Sequence, residues 1–211
     1  MSSRFMPAIA AAAALFAATP SIAAPPAIPD SMLGGLEWRL VGPFRAGWST
    51  MAVGIPEQPN VFYFGAAGGG VWKTDSAGAT WQPMSEGLES APVGAIAIAP
   101  SDPKTLYVGM GHPEPRYDIA AGDGLYKSTD GGAHWQHAGL ETTRHIGQIL
   151  IDPHDANSVL LAWLGHIFGP SPDRGVFRTT DGGATWKKVL FVDRETGAVD
   201  LDILTPELHK T

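Results

Sequence analysis

The chain has 211 residues with 26 Gly and 18 Pro, and 44% of it is hydrophobic, a globular composition heavy in turn formers. A formal charge of −7 and the lack of any basic run argue against a nucleic-acid partner, whose phosphates would be repelled. Cysteine is absent, so disulfides, thiolate nucleophiles and Cys-ligated zinc are excluded.

Residues 1–23 read as a secretory signal. Arg4 gives the positive start, an alanine-rich apolar stretch runs from Ala8 to Ala18, and Ser21-Ile22-Ala23 places small residues where a signal peptidase cuts, before Ala24. Pro7 and Pro20 bracket the apolar run and leave it too short to span a bilayer. No integral membrane segment is expected after cleavage. Residues 24–36 read as a Pro-rich, extended opening segment.

From there a unit repeats. It opens with an apolar run ending in proline: Met51-Ala-Val-Gly-Ile-Pro56, Ala95-Ile-Ala-Ile-Ala-Pro100, Ile149-Leu-Ile-Asp-Pro153 and, near the end, Leu201-Asp-Ile-Leu-Thr-Pro206. A polar turn follows, then Val61-Phe-Tyr-Phe64, Leu106-Tyr-Val108 or Val159-Leu-Leu-Ala-Trp163. A short run ending in a base is next: Val71-Trp-Lys73, Leu125-Tyr-Lys127 or Val176-Phe-Arg178. The unit closes on a turn ending in tryptophan: Thr74-Asp-Ser-Ala-Gly-Ala-Thr-Trp81, Ser128-Thr-Asp-Gly-Gly-Ala-His-Trp135 and Thr179-Thr-Asp-Gly-Gly-Ala-Thr-Trp186. β-Branched and aromatic runs between turn signals predict four short antiparallel strands per unit.

Four strands in a period of roughly 50 residues predict an all-β fold, a β-propeller of four-stranded antiparallel blades. Blades are expected over residues 49–84, 93–137 and 146–190, with the first strand of a fourth in 198–211; the propeller portion as a whole is 37–211. Gly94 and Gly147 fall at matching starts of the innermost strand, where the channel is crowded. Three blades and one strand do not close a ring, so the expectation is either a fragment of a longer propeller or two copies that associate to close one.

The closing turns read as structural. Asp130 and Asp181 can accept hydrogen bonds from their own turns, Gly132 and Gly183 (with Gly131 and Gly182) supply positive φ, and Trp135 and Trp186 can fill the gap between blades. The first copy is degenerate: Ser76 stands in the Asp position and Ala77 replaces a Gly, while Gly78 and Trp81 are kept. No second carboxylate stands at calcium-loop spacing, so no metal and no cofactor are expected.

Turns in such a blade alternate between two faces. The closing turn and the Pro turn share one; the connection between strands two and three and the crossover to the next blade share the other. Two long connections, residues 111–118 and 165–174, mark that second face as the functional candidate. Arg45, His112, Arg116, Tyr117, Arg144, His145, His166 and Arg174 converge there as ligand-binding candidates, with Trp48 entering from the same side. Glycoside hydrolysis needs two carboxylates roughly 5–10 Å apart. Glu114, Asp118, Glu141 and Asp173 are the candidates, and the sequence does not pair them.

Other chemistry fails on spacing. Ser101-Asp-Pro-Lys104 needs a helix that Pro103 forbids. Gly65 to Lys73 lacks the Lys directly after the closing Gly of a phosphate loop. His112-Pro-Glu114 has no Cys pair for a deaminase zinc. His134 and His137, read as three apart on one strand, point to opposite faces.

The turn pattern, Ser/Thr-x-Asp-x-Gly-x-Thr-Trp, resembles the Asp-box or BNR repeat of sialidases, bacterial xyloglucanases, sortilin-type receptor propellers and a photosystem II assembly factor. Wider stretches resemble large exported bacterial proteins with a sortilin-like N-terminal propeller, many described as glycosyl hydrolases: Trp38-Arg-Leu-Val-Gly-Pro-Phe-Arg45, Gly68-Gly-Gly-Val-Trp-Lys73, Gly122-Asp-Gly-Leu-Tyr-Lys127, Arg144-His-Ile-Gly147 and Asp173-Arg-Gly-Val-Phe-Arg178. The resemblance covers residues 37 to about 204. It implies a periplasmic or extracellular propeller that binds a glycan or peptide, or acts as a scaffold, through its loop face. The alternative is a xyloglucanase-like glycoside hydrolase with part of its site in further blades. The Arg-Ile-Pro signature of sialidases is absent.

Overall fold

The computed structural model describes residues 48–114 and 119–202, all within the compact unit Gly42–Thr211. The expected signal sequence and opening segment, together with Arg45, Arg116, Tyr117 and Asp118, lie outside the described residues. Those described form strands and turns, without a helix.

Three antiparallel sheets follow one another along the chain, each pairing its four strands in sequence order. The first holds β1 (Ser49–Ile55), β2 (Gln58–Ala66), β3 (Gly70–Thr74) and β4 (Gln82–Pro83). The second holds β5 (Val93–Ala99), β6 (Asp102–Met110), β7 (Leu125–Ser128) and β8 (Gln136–His137). The third holds β9 (Ile146–Asp152), β10 (Asp155–Trp163), β11 (Gly175–Thr179) and β12 (Lys187–Leu190). This is the expected all-β propeller architecture of four-stranded antiparallel blades. Of the expected fourth unit, residues 198–202 are described and carry no ladder; 203–211 lie outside the described residues.

The second strand of each blade begins three or more residues before the apolar run that announced it. The cause is the hairpin. Ile55 pairs with Gln58, Ala99 with Asp102 and Asp152 with Asp155, so only two residues separate the strands. So tight a turn draws the polar residues beside it into register, whatever their hydrophobicity.

The third strand extends past its basic residue to a buried hydroxyl: Thr74, Ser128 or Thr179, each at most 2% exposed. This hydroxyl caps the closing turn. Ser128 Oγ accepts the N–H groups of Asp130 (3.3 Å) and Gly132 (2.9 Å); Thr179 Oγ1 accepts those of Asp181 (3.2 Å) and Gly183 (3.1 Å). Asp181 accepts in turn from Thr179 Oγ1, Thr185 Oγ1 and the Thr185 N–H. Asp130 does the same with Ser128 and His134. These donors hold both carboxyls well below the ordinary range: for Asp181 the Thr179 hydroxyl contributes most, for Asp130 the His134 N–H. In the degenerate copy Ser76 Oγ accepts the Thr80 N–H at 2.9 Å, and Ala77 tolerates φ 53°. His134 therefore belongs to this turn and not to a strand; it lies 2.6 Å from Asp130, while His137 on β8 reaches Glu141 and the Asp123 carbonyl.

The hydrophobic core lies between blades rather than inside them. Along β6, Leu106, Val108 and Met110 face the first blade and join Tyr63, Val71 and Trp135. Tyr107, between them in sequence, faces the third blade and joins Val159, Leu161 and Trp163. Period-2 alternation thus serves two interfaces, and a middle strand reads as apolar throughout.

Polar atoms clasp the same interfaces. Trp135 Nε1–H donates to the Met84 carbonyl of the preceding blade (2.6 Å), and Trp186 Nε1–H to that of Ala138 (2.8 Å). In the other direction Tyr63 donates to the Gly131 carbonyl and Tyr107 to that of Ala156, both at 2.9 Å. Burial, with help from Asp155 and Asp181, pushes the Tyr107 phenol up to about 12, so it stays a donor at any ordinary pH.

Candidate functional site

The innermost strands β1, β5 and β9 line a channel. Midway along it lies a cavity of about 380 Å³ bordered by Val53, Ile96, Ile98, Ile149 and Ile151 among others. At the end facing the long loops lies another of about 390 Å³.

The repeat sets the rim of this mouth. The residue six places before each strand-ending proline is Thr50, Gly94, Gly147 and Asp200, and all of these line the mouth cavity. Two must be glycine. A Cβ at Gly94 would press on the Gly111 and Ile146 carbonyl oxygens, and one at Gly147 would lie 2.5 Å from the Val199 oxygen. Thr50 uses its hydroxyl as a strut, donating to Val93 O (2.7 Å) and Gly65 O (3.2 Å). Asp200 is exposed, one carboxylate oxygen taking the Leu201 N–H. Glu114, at the end of the described part of the first long loop, is exposed and lines the same cavity, as does Gln148.

Backbone hydrogen bonds join the loops of this face to the crossovers. Gly111 donates to Pro92, Gly122 to Arg144, Leu164 to His145 and Ser171 to Arg194. Each loop thus rests on chain arriving from, or leaving for, a neighbouring blade.

The sequence candidates separate accordingly. His112 and His145 are 6% and 2% exposed, buried beneath the face rather than presented on it. Burial chiefly lowers the His145 pKa, and Arg144, His112 and His166 add to this against an opposing hydrogen bond to the His112 backbone, so the environment favours the neutral ring. Arg174 spends its guanidinium on the carbonyls of Glu195, His166 and Gly169, which ties the second long loop to the following crossover. Arg144 is exposed, and so is His166, whose ring meets Phe168 edge-on at 6.0 Å. Glu141 is exposed beside His137 at 3.4 Å. Asp173 is half-buried, its N–H donating to Ser171 Oγ.

Of the carboxylates nominated from sequence, Glu114 lines the mouth; its neighbour there is Asp200. Asp200 escaped the sequence reading although the register could have found it, since Pro206 marks the fourth copy of the same offset. Two aromatics stand out on this face: Trp48, 52% exposed at the start of β1, and Phe168, 73% exposed in the second long loop. Among the described residues no group of three His, Asp or Glu is arranged to hold a metal ion, and no helix is long and apolar enough to cross a membrane.

Blades, channel and loop face define a stretch of β-propeller. Its sequence is similar to that of xyloglucanases: 28% identical over 197 residues to one from a Paenibacillus species, covering 86% of this chain and 18% of that enzyme. A second, from Acetivibrio thermocellus, is 30% identical over 145 residues, or 63% of this chain and 16% of the enzyme. Among solved structures, an ancestral GH74 enzyme superposes with a TM-score of 0.60 at 24% identity, over 77% of this chain and 21% of that one. The GH74 xyloglucanase of Xanthomonas campestris gives 0.54 at 25%, over 72% and 22%. The chain thus spans less than a fifth of the length of these curated relatives. No family model matches it.

Proposed function

We propose that this chain is part of an exported Asp-box propeller that binds a polysaccharide across its loop face, with a xyloglucan-type β-glucan as the ligand class. The observation that carries the reading is the grouping of Trp48, Phe168 and the acidic mouth on one face. Sugar rings present apolar faces that stack on exposed aromatics, and hydroxyls that donate to carboxylates such as Glu114 and Asp200. The similarity to xyloglucanases supports the ligand class, and the leader-like residues 1–23 support export. The buried histidines and the committed Arg174 support the face as a preformed platform.

A second reading is hydrolysis by the Glu114 and Asp200 pair, favoured by their sharing one cavity. Affinity electrophoresis in xyloglucan gels separates the two. Binding predicts retarded migration of this chain, weakened roughly tenfold, about 1.4 kcal/mol, in Trp48→Ala and Phe168→Ala. Unchanged retardation in both variants, or none in the parent, sinks the binding reading. Release of reducing ends that Glu114→Gln and Asp200→Asn abolish would establish hydrolysis.

A further inference from the structure

Where the second blade hands over to the third, two histidines are buried short of partners. His112, at the start of the first long loop, has no hydrogen-bond partner at either ring nitrogen. His145 stands on the crossover just before β9. Its ring hydrogen-bonds the His112 backbone, and its buried Nδ1 has no partner. Bare nitrogens in a buried site cost free energy, and a charged ring there costs more than a neutral one.

The charges around His145 are basic. Arg144 acts from the crossover itself, His112 from the second blade's loop and His166 from the third blade's loop. After burial, the largest effect, these three oppose a proton on the ring. The carboxylates of the same segments are Glu141, exposed beside His137, Glu114, exposed at the mouth, and half-buried Asp173. None of them ranks among the leading influences on His145.

The pair is tied to the mouth. Glu114 follows His112 by two residues and Gly147 follows His145 by two; Pro113, Glu114, Gly147 and Gln148 all line the mouth cavity. The backbones are in contact as well. Gly122 N–H donates to Arg144 O (2.8 Å), His112 N–H to Ala120 O (3.0 Å), and a Cβ at Gly111 would strike Arg144 O. Loop and crossover form one joint, so a change that expels the His145 ring moves both walls.

We propose that His145 is an acid-released latch: a proton on its ring drives it from beside His112, parts residues 111–114 from the crossover and loosens two walls of the mouth. The folded ring takes up a proton less readily than a free histidine, which does so near pH 6.5. The contact is therefore at full strength above about pH 6.5 and weakens as pH falls below it.

Amide hydrogen exchange followed by NMR tests this without any ligand, so its outcome is independent of xyloglucan binding. The N–H groups of Gly122 and Leu164 bond to the Arg144 and His145 carbonyls. From about pH 7.5 to about pH 5 their protection factors should fall at least roughly tenfold, while those of the core residues Val108 and Val159 hold. His145→Gln keeps a side-chain N–H but cannot titrate, and should abolish the fall; His154→Gln, at an exposed histidine elsewhere, should not. In the parent the His145 ring resonances should titrate together with the loss of protection, a readout that holds even if the Gln variant does not fold. Constant protection in the parent, a fall that persists in His145→Gln, or a His145 titration that leaves protection unchanged would overturn the latch.

Discussion

At the scale of single residues, Asp130 and Asp181 each gather three hydrogen-bond contacts within their own closing turns. Because Asp181 titrates below its unfolded value, which is about 3.9, it stabilises the fold fully above that value. The contribution is lost as pH falls through the lower, folded pKa, where both states become protonated. Thermal melts of the parent and of Asp181→Ala should therefore differ by a constant gap between about pH 5 and 8, and the gap should narrow progressively as pH falls below about 4. A gap that persists undiminished in acid would mean that the charge is not what the turn uses. The aspartates, glycines and tryptophans were legible because an identical local need recurs three times over. The role of Ser128 and Thr179 was not: their hydroxyls matter only once strand and turn have folded around them. Burial of His112 and His145 was equally unreadable, since it arises from loops of different blades closing over them.

At the scale of the element, the first strand of each blade must reach the channel mouth past its neighbour's chain. Gly94 meets carbonyl oxygens, not mobile side-chain ends, so the added methyl of Gly94→Ala displaces backbone. The expected cost is about 3 kcal/mol, measured by urea unfolding. Gly68→Ala is the control, for nothing lies within 4 Å of the added carbon. Equal costs at the two positions would show that the crowding is relieved by shifts elsewhere. Gly94 and Gly147 could be placed from the proline landmark alone; the lengths of the second strands could not, because a two-residue hairpin rather than side-chain preference fixes them.

At the scale of the whole molecule, stability resides in the spaces between blades. Trp135 is 9% exposed and belongs to the cluster joining the first two. Trp135→Ala should cost about 3–5 kcal/mol in urea unfolding, and a cost below about 1 kcal/mol would place the cohesion inside the blades. The propeller was legible because four strands and a period survive any drift in individual residues; that alternate residues of one strand serve two different interfaces, as Leu106 and Tyr107 do, became visible only in the packing. The clasps between blades carry one more consequence. Each runs from an indole or a phenol to a main-chain oxygen of the neighbour. A peptide oxygen is supplied by every amino acid, so the joint makes no demand on which residue stands opposite. A duplicated unit inherits its place in the ring along with its tryptophan, and its neighbours need not co-evolve to receive it.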